Sequence, residues 1–443
     1  MPLLITLIFI ILLIFMIVKL KLNTYIALLL TAVLLAVSLG IPTEKIPAVI
    51  EAGIGSQLGH LAIVFALGAM IGKLVSDTGG GYRIAQTLIK RFGVKQIQIA
   101  VVIASFIVGI ALFFEVGLVV LLPILFVIAN ELKIPLLYLG IPMAATLNTA
   151  HAFLPPHPGP TAITAIFNAN IGQVLLIGIV VSIPTIIIAG PLFNWFLQKV
   201  YPSAYHKTLP NIFGDLKEFD IDETPGVGIS ILTSMMPVIL IGVSTIVQSL
   251  LAGKSVLKTA VTFVGSPDIA MILSLLFALY TMGIRRKQTL DRLSGSLTDS
   301  VKQIAMMLLI IGGGGALKEV LVQGGIANYV SQIFATSNLS PIFAAWLITA
   351  ILRVSLGSST VAGITGAGLV LPMVQASGVN PALMVLAVGA GSVFADHVND
   401  AGFWMIKEYF GLSLKETLLS WTTLTSVLSV SGLISVWLAS FLF

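Results

Sequence analysis

The sequence contains no cysteine and very little charge. Without cysteine the chain cannot form disulfides, hold an iron–sulfur cluster or use a thiol in chemistry. Asp, Glu, Lys and Arg make up only 9% of the 443 residues, whereas a soluble protein carries about 25% charged residues. The shortage excludes a soluble domain of any size. The net charge of +5 does not indicate a nucleic-acid partner, because positive charge in such a chain marks cytoplasmic loops.

Long apolar runs take the place of charge. Hydrophobic residues make up 57% of the chain, and runs of about twenty, enough to cross the hydrocarbon core of a bilayer, recur from end to end. The sequence therefore predicts an all-α polytopic membrane protein in contact with the lipid bilayer. The first run, residues 3–18, lacks a basic region before it and a small-residue cleavage site, so we interpret it as a retained helix.

One very apolar part of the chain contains the stretch NTAHAFLPPHPGPT at residues 148–161. Its prolines remove backbone donors and push the preceding residues toward extended conformations, so it cannot be one continuous helix. In lipid, non-helical backbone survives only where protein or a water-filled cavity satisfies its polar groups. We therefore predict a substrate-binding segment, and the alternative is a kinked helix whose polar groups bind neighbouring helices. The candidate side chains are Asn148, Thr149, His151, His157 and Thr161.

The two halves of the chain repeat one order of features. A shift of about 245 residues brings His151 onto His397 and places the short apolar segments around Glu115 over those around GSST at 357–360. Paired interruptions in corresponding places are typical of transporters, whose binding site lies between the repeats. We predict that each half holds one re-entrant helical hairpin and one broken transmembrane helix.

The predicted organisation has three parts. They are a first half at 1–198 with a hairpin tip near 115 and a broken helix at 148–161, a cytoplasmic connecting loop at 199–226, and a second half at 227–443 with a hairpin tip at 357–360 and a broken helix at 395–402.

Basic residues orient the repeats. The polar loop at 77–96 carries four Lys or Arg residues, and its counterpart at 320–341 carries none. The positive-inside rule then places the first in the cytoplasm and the second outside, which makes the repeats inverted in topology. Both chain termini are predicted to be external.

Glu115 stands between two apolar stretches, each of which is short for an independent transmembrane helix. A carboxylate at membrane depth costs roughly 2.5–3.5 kcal/mol unless it has a partner or reaches water. A hairpin tip near the midplane would satisfy it. A structural carboxylate paired with a neighbouring helix and a direct role in proton or substrate binding both remain open. For proton coupling we prefer Glu115 over the other acidic candidates, because it stands alone on an apolar hairpin and has the fewest evident partners.

Arg353 lies about one turn before the polar break at 357–360. An arginine in a membrane segment is a natural bidentate partner for a substrate carboxylate, and broken helix ends offer free amide groups. Ser358, Ser359 and Thr360 are therefore predicted to bind substrate together with Arg353. The alternative for Arg353 is a buried ion pair with Glu115 or Asp396.

The sequence DHVND at 396–400 places two carboxylates and an imidazole close together. A histidine between carboxylates can hold or pass on a proton near neutral pH. Asp396 and Asp400 are candidates for proton coupling, and His397 and Asn399 for substrate binding. The alternative is a helix terminus at the cytoplasmic surface, where Asp400 merely caps the next helix.

Enzyme motifs are missing from the sequence. It has no H-E-x-x-H, no third ligand at metal spacing from His151 and His157, and no glycine-rich loop followed by Lys-Ser/Thr. We therefore expect no metal, cofactor or ATP, and transport driven by an ion gradient. An intramembrane enzyme that uses Asp396 and Asp400 is a remote alternative, because the further acidic motifs of such enzymes are missing too.

Five stretches resemble the gluconate:proton symporter (gluconate permease) family of the ion transporter superfamily. They are HLAIVFALGAMIGKL (60–74), FFEVGLVVLLPI (113–124), HAFLPPHPGPTA (151–162), LRVSLGSSTVAG (352–363) and DHVNDAGFWMIKEYFGLSLKETLLSW (396–421). The resemblance implies a proton symporter that imports gluconate or a related sugar acid across a bacterial inner membrane. It leaves a homo-oligomer open.

The resemblance also bears on the site and the substrate. It implies that the hairpin tips and unwound segments of both repeats form the site. Elsewhere in the superfamily Asn or Ser stands at the position of Glu115, and a carboxylate there fits protons better than sodium. The family also includes carriers of D-serine, idonate, fructuronate and glycerate, so a carrier of D-serine or another small hydroxy or amino acid is the alternative.

Overall fold

The structure is a computed structural model, and it describes residues 2–155, 157–206, 210, 219–250, 255–326 and 340–443. Within these ranges the chain forms helices joined by turns and short irregular segments, with no strand. Seven helices there are long and apolar enough to cross a membrane, or eight if one bent pair is a single span. The prediction of an all-α polytopic membrane protein is confirmed.

Nine helices precede the connecting segment in the described residues. They are α1 (Pro2–Val18), α2 (Thr24–Ser38), α3 (Ile46–Asp77), α4 (Gly80–Ala111), α5 (Phe114–Leu132), α6 (Leu136–Phe153), α7 (Pro158–Ile166), α8 (Ile171–Ile187) and α9 (Phe193–Val200). A wide π-type turn, Ile188–Leu192, joins α8 to α9.

Ten helices follow the connecting segment in the described residues. They are α10 (Val227–Leu250), α11 (Val256–Val264), α12 (Pro267–Ala278), α13 (Leu290–Gln323), α14 (Pro341–Leu356), α15 (Ser359–Ser377), α16 (Pro381–Gly391), α17 (Ala401–Tyr409), α18 (Leu414–Thr417) and α19 (Thr423–Ala439). Two further π-type turns lie in this part: Leu279–Gly283 follows α12, and Leu418–Thr422 joins α18 to α19.

Local sequence signals set many of these helix starts. The side chain of Asn23 accepts hydrogen bonds from the first amides of α2, and Asn170 and Asn380 do the same for α8 and α16. Proline occupies the first position of α7, α12, α14 and α16, where its missing N–H leaves no bond unmade. Ser413 and Glu416 form a reciprocal capping box at α18.

The chain folds into two compact units. Unit 1 comprises Met1–Gly59, Asn148–Ala204 and Met307–Phe443, and unit 2 comprises His60–Leu147 and Tyr205–Met306. Each unit draws on both halves of the sequence. The predicted division into halves stays a prediction, and residues 207–209 and 211–218 of its connecting loop lie outside the described residues.

Glycines bring α3 and α13 into close contact within unit 1. A Cβ atom on Gly53 would lie 2.5 Å from the carbonyl oxygen of Gly315, and one on Gly315 would lie 2.5 Å from that of Gly53. Lys318, one turn further along α13, donates to Gln57 Oε1 over 3.2 Å. Small residues allow helices to approach closely where lipid supplies no hydrophobic driving force, so this crossing depends on both glycines.

Unit 2 contains the bent helix α4. The helix bends by 119° between its limbs, Gly80–Gly93 and Gln96–Ile110, and Gly93 supplies a positive φ of 68° at the bend. The prediction of a polar loop at 77–96 is therefore wrong in structure, because its basic residues lie on a helix. Its predicted cytoplasmic position stays a prediction.

The order of elements recurs along the chain. The first half begins with the long helix α3, which is followed by the hairpin of α4 and α5. Next comes α6, which ends at a break before α7, and then α8, which continues through a π-type turn into α9. From α13 to α19 the same order returns. The described residues leave out 327–339, which follow α13. The inverted relation between the repeats and the re-entrance of their hairpins stay predictions.

Candidate functional site

The tip of the hairpin formed by α14 and α15 is polar. Helix α14 ends at Gly357, whose φ of 76° lies in the left-handed region. The Oγ of Ser358 accepts a hydrogen bond of 3.4 Å from the amide of Val361 and so caps α15. Any side chain at position 357 would collide with the carbonyl of Asn399. A glycine is therefore required here on two independent grounds.

The chain is not helical between α16 and α17, at residues 392–400. Ala395 has a φ of 46°, rare for a residue with a side chain. Helix α19 and the turn before it support this segment: Thr425 Oγ1 accepts from the amide of Asp396 over 3.0 Å, and Thr422 Oγ1 donates to its carbonyl over 2.5 Å. The segment is thus non-helical but held in a defined conformation.

This segment lies against the tip of the hairpin. The carbonyl oxygen of Val354, in the last turn of α14, accepts from Asn399 Nδ2 over 2.8 Å and contacts His397 Nε2 at 2.9 Å. Carbonyl groups in the last turn of a helix have no partner within it. Ser359 Oγ also lies 3.0 Å from Ser392 Oγ. The two breaks of the second half therefore form one polar cluster, and its role as a binding site stays a prediction.

Arg353 is the cation of this cluster. Its Nη2 atom lies 3.0 Å from Asp396 Oδ2 and 3.0 Å from Asp400 Oδ2. The side chains of Arg353 and Asp396 are 3% and 4% exposed, and that of Asp400 is 22% exposed. The ion pair with Asp396 that the sequence left open is present. Asp400 makes no capping hydrogen bond to α17 through its side chain, so the capping alternative does not describe it.

Several polar atoms of the cluster are buried without a hydrogen-bond partner among the described residues. They are Arg353 Nε and Nη1, Asp396 Oδ1, His397 Nδ1 and Asn399 Oδ1. Buried polar atoms in proteins are almost always hydrogen-bonded, and exceptions require an explanation. A cluster of unused donors and acceptors is suited to a small ligand that carries both carboxylate and hydroxyl groups.

The break between α6 and α7 lies near this cluster. The rings of His151 and His157 are 5.2 Å apart and edge to face, and the charges of Arg353 and Asp400 act on His151. His151 Nδ1 and Thr161 Oγ1 also lack partners among the described residues. Ile163 of α7 packs against Gly363 of α15. The structure thus brings part of the 148–161 stretch to the second-half residues.

The break itself is shorter than the predicted stretch. Helix α6 continues to Phe153 and α7 begins at Pro158, so Asn148 and Thr149 are buried within a helix. Among the described residues, 154, 155 and 157 are non-helical, and Pro156 lies outside the described residues.

Glu115 belongs to unit 2 and not to the unit that holds the Arg353 cluster. It stands in the first turn of α5, just after the break at Leu112 and Phe113, and it is half-buried. Glu115 is not without an interaction partner, so the isolation on which the sequence argument relied does not hold. Its role in coupling stays a prediction.

Comparison with known proteins identifies the family. The family model described as GntP family permease matches residues 1–442. The chain belongs to this family. It is 58% identical to the Bacillus subtilis protein named uncharacterized permease YojA over 99% of both chains. It is 55% identical to the gluconate permease of B. subtilis over 98% of both chains, and 46% identical to a high-affinity gluconate transporter of Escherichia coli over 98% of both.

The family resemblance found in the sequence is confirmed. A permease of this family is a multi-pass membrane transporter and not an enzyme, so the remote intramembrane-enzyme alternative is set aside. Sequence reasoning missed Ser392 and the carbonyl of Val354. A serine after small residues carries no distinctive signal, and a backbone carbonyl carries none at all.

Proposed function

We propose that this GntP family permease imports gluconate or a closely related sugar acid by proton symport across a bacterial inner membrane. The observation that carries the proposal is Arg353, a buried guanidinium at a helix break, surrounded by buried polar atoms that the described residues leave unused. Identity of 46–55% to gluconate transporters over nearly the whole chain supports the choice of substrate.

Each part of a sugar acid has a proposed partner. Arg353 binds the carboxylate, because a guanidinium presents paired N–H groups that match it. His151, His157, Thr161, His397 and Asn399 bind hydroxyl groups, and the amides and hydroxyls of Ser358, Ser359 and Thr360 complete the pocket. Asn148 and Thr149 support this site from within α6. An acidic residue carries the coupled proton, and the candidates are Glu115, Asp396 and Asp400.

Uptake by proteoliposomes tests this proposal. The purified protein should accumulate labelled gluconate when the outside is more acidic than the lumen, and a protonophore should abolish accumulation. Unlabelled gluconate and idonate should compete in the micromolar to millimolar range, and D-serine should not. Competition by D-serine but not by gluconate would assign the protein to the amino-acid carriers, and accumulation that ignores the pH gradient would exclude proton symport.

A further inference from the structure

We propose that Asp400 is the group that carries the coupled proton, and that its protonation frees Arg353 for the substrate carboxylate. The inference rests on the proposed function and adds to it a division of roles. Asp396 is a fixed counter-ion, Asp400 is the exchangeable one, and transport of a monovalent sugar acid is electroneutral.

The geometry of the guanidinium group is the first argument. A guanidinium offers a carboxylate two edges with paired N–H groups, one formed by Nε and Nη2 and the other by Nη1 and Nη2. Both edges include Nη2, and in this structure Nη2 is 3.0 Å from both Asp396 and Asp400. A substrate carboxylate can therefore bind Arg353 in bidentate fashion only if one of the two aspartates withdraws. The unused Nε and Nη1 atoms supply the second N–H of either edge.

The two aspartates differ in how firmly they are held. Both backbone groups of Asp396 are hydrogen-bonded: its amide donates to Thr425 Oγ1, and its carbonyl accepts from Thr422 Oγ1. Its side chain is only 4% exposed. Asp400 has one such backbone bond, from its amide to the carbonyl of His397 over 3.0 Å, and its side chain is 22% exposed. Asp400 is therefore the aspartate that can move away from Arg353 and exchange a proton with water.

The charged and titratable groups around Asp400 favour this exchange. Arg353 faces it from α14, His151 from α6, and Asp396 and His397 from its own segment. The carboxyl groups of Asp396 and Asp400 lie close together, because the Oδ2 atom of each is 3.0 Å from the same Nη2 atom of Arg353. Two carboxylates that share one cation repel each other, and binding of a proton to one of them relieves this repulsion. A protonated Asp400 no longer competes for Arg353 as an anion.

The net charge of the cluster determines whether transport moves charge across the membrane. The empty cluster, with both aspartates ionised and Arg353 charged, has one excess negative charge. After one proton and one monovalent anion have bound, the excess is the same. If the loaded and empty forms cross with equal charge, the membrane potential does no net work on the cycle. The pH gradient alone then drives accumulation, by about tenfold at equilibrium for each pH unit.

Proteoliposomes with imposed gradients test the proposal on the unmodified protein. A pH gradient without a potential should drive gluconate accumulation, and a potassium diffusion potential set with valinomycin should drive none. Net charge movement on solid-supported membranes should be absent. Accumulation by potential alone, or a transport current with gluconate, would overturn the proposal, whereas a protein that never accumulates gluconate would contradict the proposed function instead.

The variant Asp400→Asn tests the assignment to this residue. It should lose accumulation, so that labelled gluconate only equilibrates, while exchange of labelled for unlabelled gluconate continues and no longer depends on pH. Glu408→Gln is the matched control, since Glu408 pairs with Lys407 on α17 outside the cluster. Gluconate accumulation by Asp400→Asn would overturn the proposal. If Glu115→Gln failed to accumulate gluconate at the same time, the coupled proton would be assigned to Glu115 instead. If Asp400→Asn does not fold, Asp400→Glu replaces it: this variant keeps an ionisable group and should still accumulate gluconate, but with a pH dependence different from that of the unmodified protein, and an unchanged pH dependence would overturn the assignment.

Discussion

Arg353 and Asp396 form a buried ion pair with 3.0 Å between Nη2 and Oδ2, across two breaks in the helices of unit 1. A buried ion pair is weak evidence for stability, because desolvation of both charges offsets most of their attraction. This pair also leaves polar atoms of both partners unused. We therefore interpret it as part of the resting form of the proposed binding site, in which Asp396 stays paired with Arg353 and Asp400 occupies the place of the substrate carboxylate.

Replacing Arg353 by Lys tests its role in binding. Lysine keeps the charge, so Asp396 and Asp400 remain paired, but it loses the fork that holds a carboxylate at two points. We expect the affinity for gluconate to fall at least tenfold, as the loss of about 1.5–3 kcal/mol from a charged hydrogen bond implies. Equilibrium binding of labelled gluconate to the purified protein measures it.

Lys407→Arg is the matched control for this substitution, because Lys407 lies on α17 and pairs with Glu408 rather than with the cluster. Gluconate binding that is unchanged in Arg353→Lys would make Arg353 purely structural and would require the pocket to be placed elsewhere.

Gly357→Ala tests the hairpin tip. The position has a φ of 76° and faces the carbonyl of Asn399, so alanine adds both backbone strain and a collision. Gly378 ends α15 with a similar φ of 66° but has nothing within 4 Å of the added Cβ. Gly378→Ala should therefore lower the free energy of unfolding by about 1 kcal/mol, and Gly357→Ala by clearly more.

Thermal unfolding in detergent, with gluconate uptake measured in parallel, compares these two variants. Gly357→Ala should also lose gluconate uptake, because the collision displaces Asn399 from Val354. Equal stability and full uptake in both variants would show that the contact between the tip and Asn399 is dispensable.

Much of the fold could be predicted from the sequence, because residues that start or interrupt helices are easy to recognise in it. Prolines mark the starts of α14 and α16, and apolar length marks the spans. The prediction failed at 77–96, where a cluster of basic residues suggested a loop. A single glycine at position 93, free to adopt a φ of 68°, lets these residues lie on a bent helix instead. A cluster of charged residues indicates that a segment is exposed to water, but it does not distinguish an exposed helix from an exposed loop.

The residues of the Arg353 cluster could be predicted from the sequence, but the contacts between them could not. Arg353, Asp396 and Asp400 each stood out as charges in an apolar chain. Nothing in the sequence specifies that both aspartates share one nitrogen atom of Arg353, because that depends on how two breaks pack together. The carbonyl of Val354, which binds His397 and Asn399, is a backbone group and is invisible in any sequence. Packing therefore decided the contacts that sequence reasoning left open.

The crossing of α3 and α13 gives a prediction about stability alone. Gly53→Ala would place a Cβ 2.5 Å from the carbonyl of Gly315, so the helices must separate. Gly55→Ala, two residues away, meets nothing within 4 Å. We expect Gly53→Ala to lower the free energy of unfolding by about 1–3 kcal/mol, and Gly55→Ala to leave it unchanged or to raise it slightly through better helix propensity. Thermal unfolding of both proteins in one detergent makes the comparison, and equal melting temperatures would contradict the close crossing.

Cysteine labelling tests the inverted topology, and the chain suits it because it has no cysteine. Lys90 on the first limb of α4 and Ser340 just before α14 are both exposed, so a thiol at either position can react. The basic residues around Lys90 predict that it faces the cytoplasm, and the uncharged stretch 320–341 predicts that Ser340 faces outward. In intact cells an impermeant maleimide should label Ser340→Cys and spare Lys90→Cys, and after permeabilisation it should label both. Labelling of both variants in intact cells, or of Lys90→Cys alone, would refute the inverted arrangement and would remove the topological argument for a site shared by the two repeats.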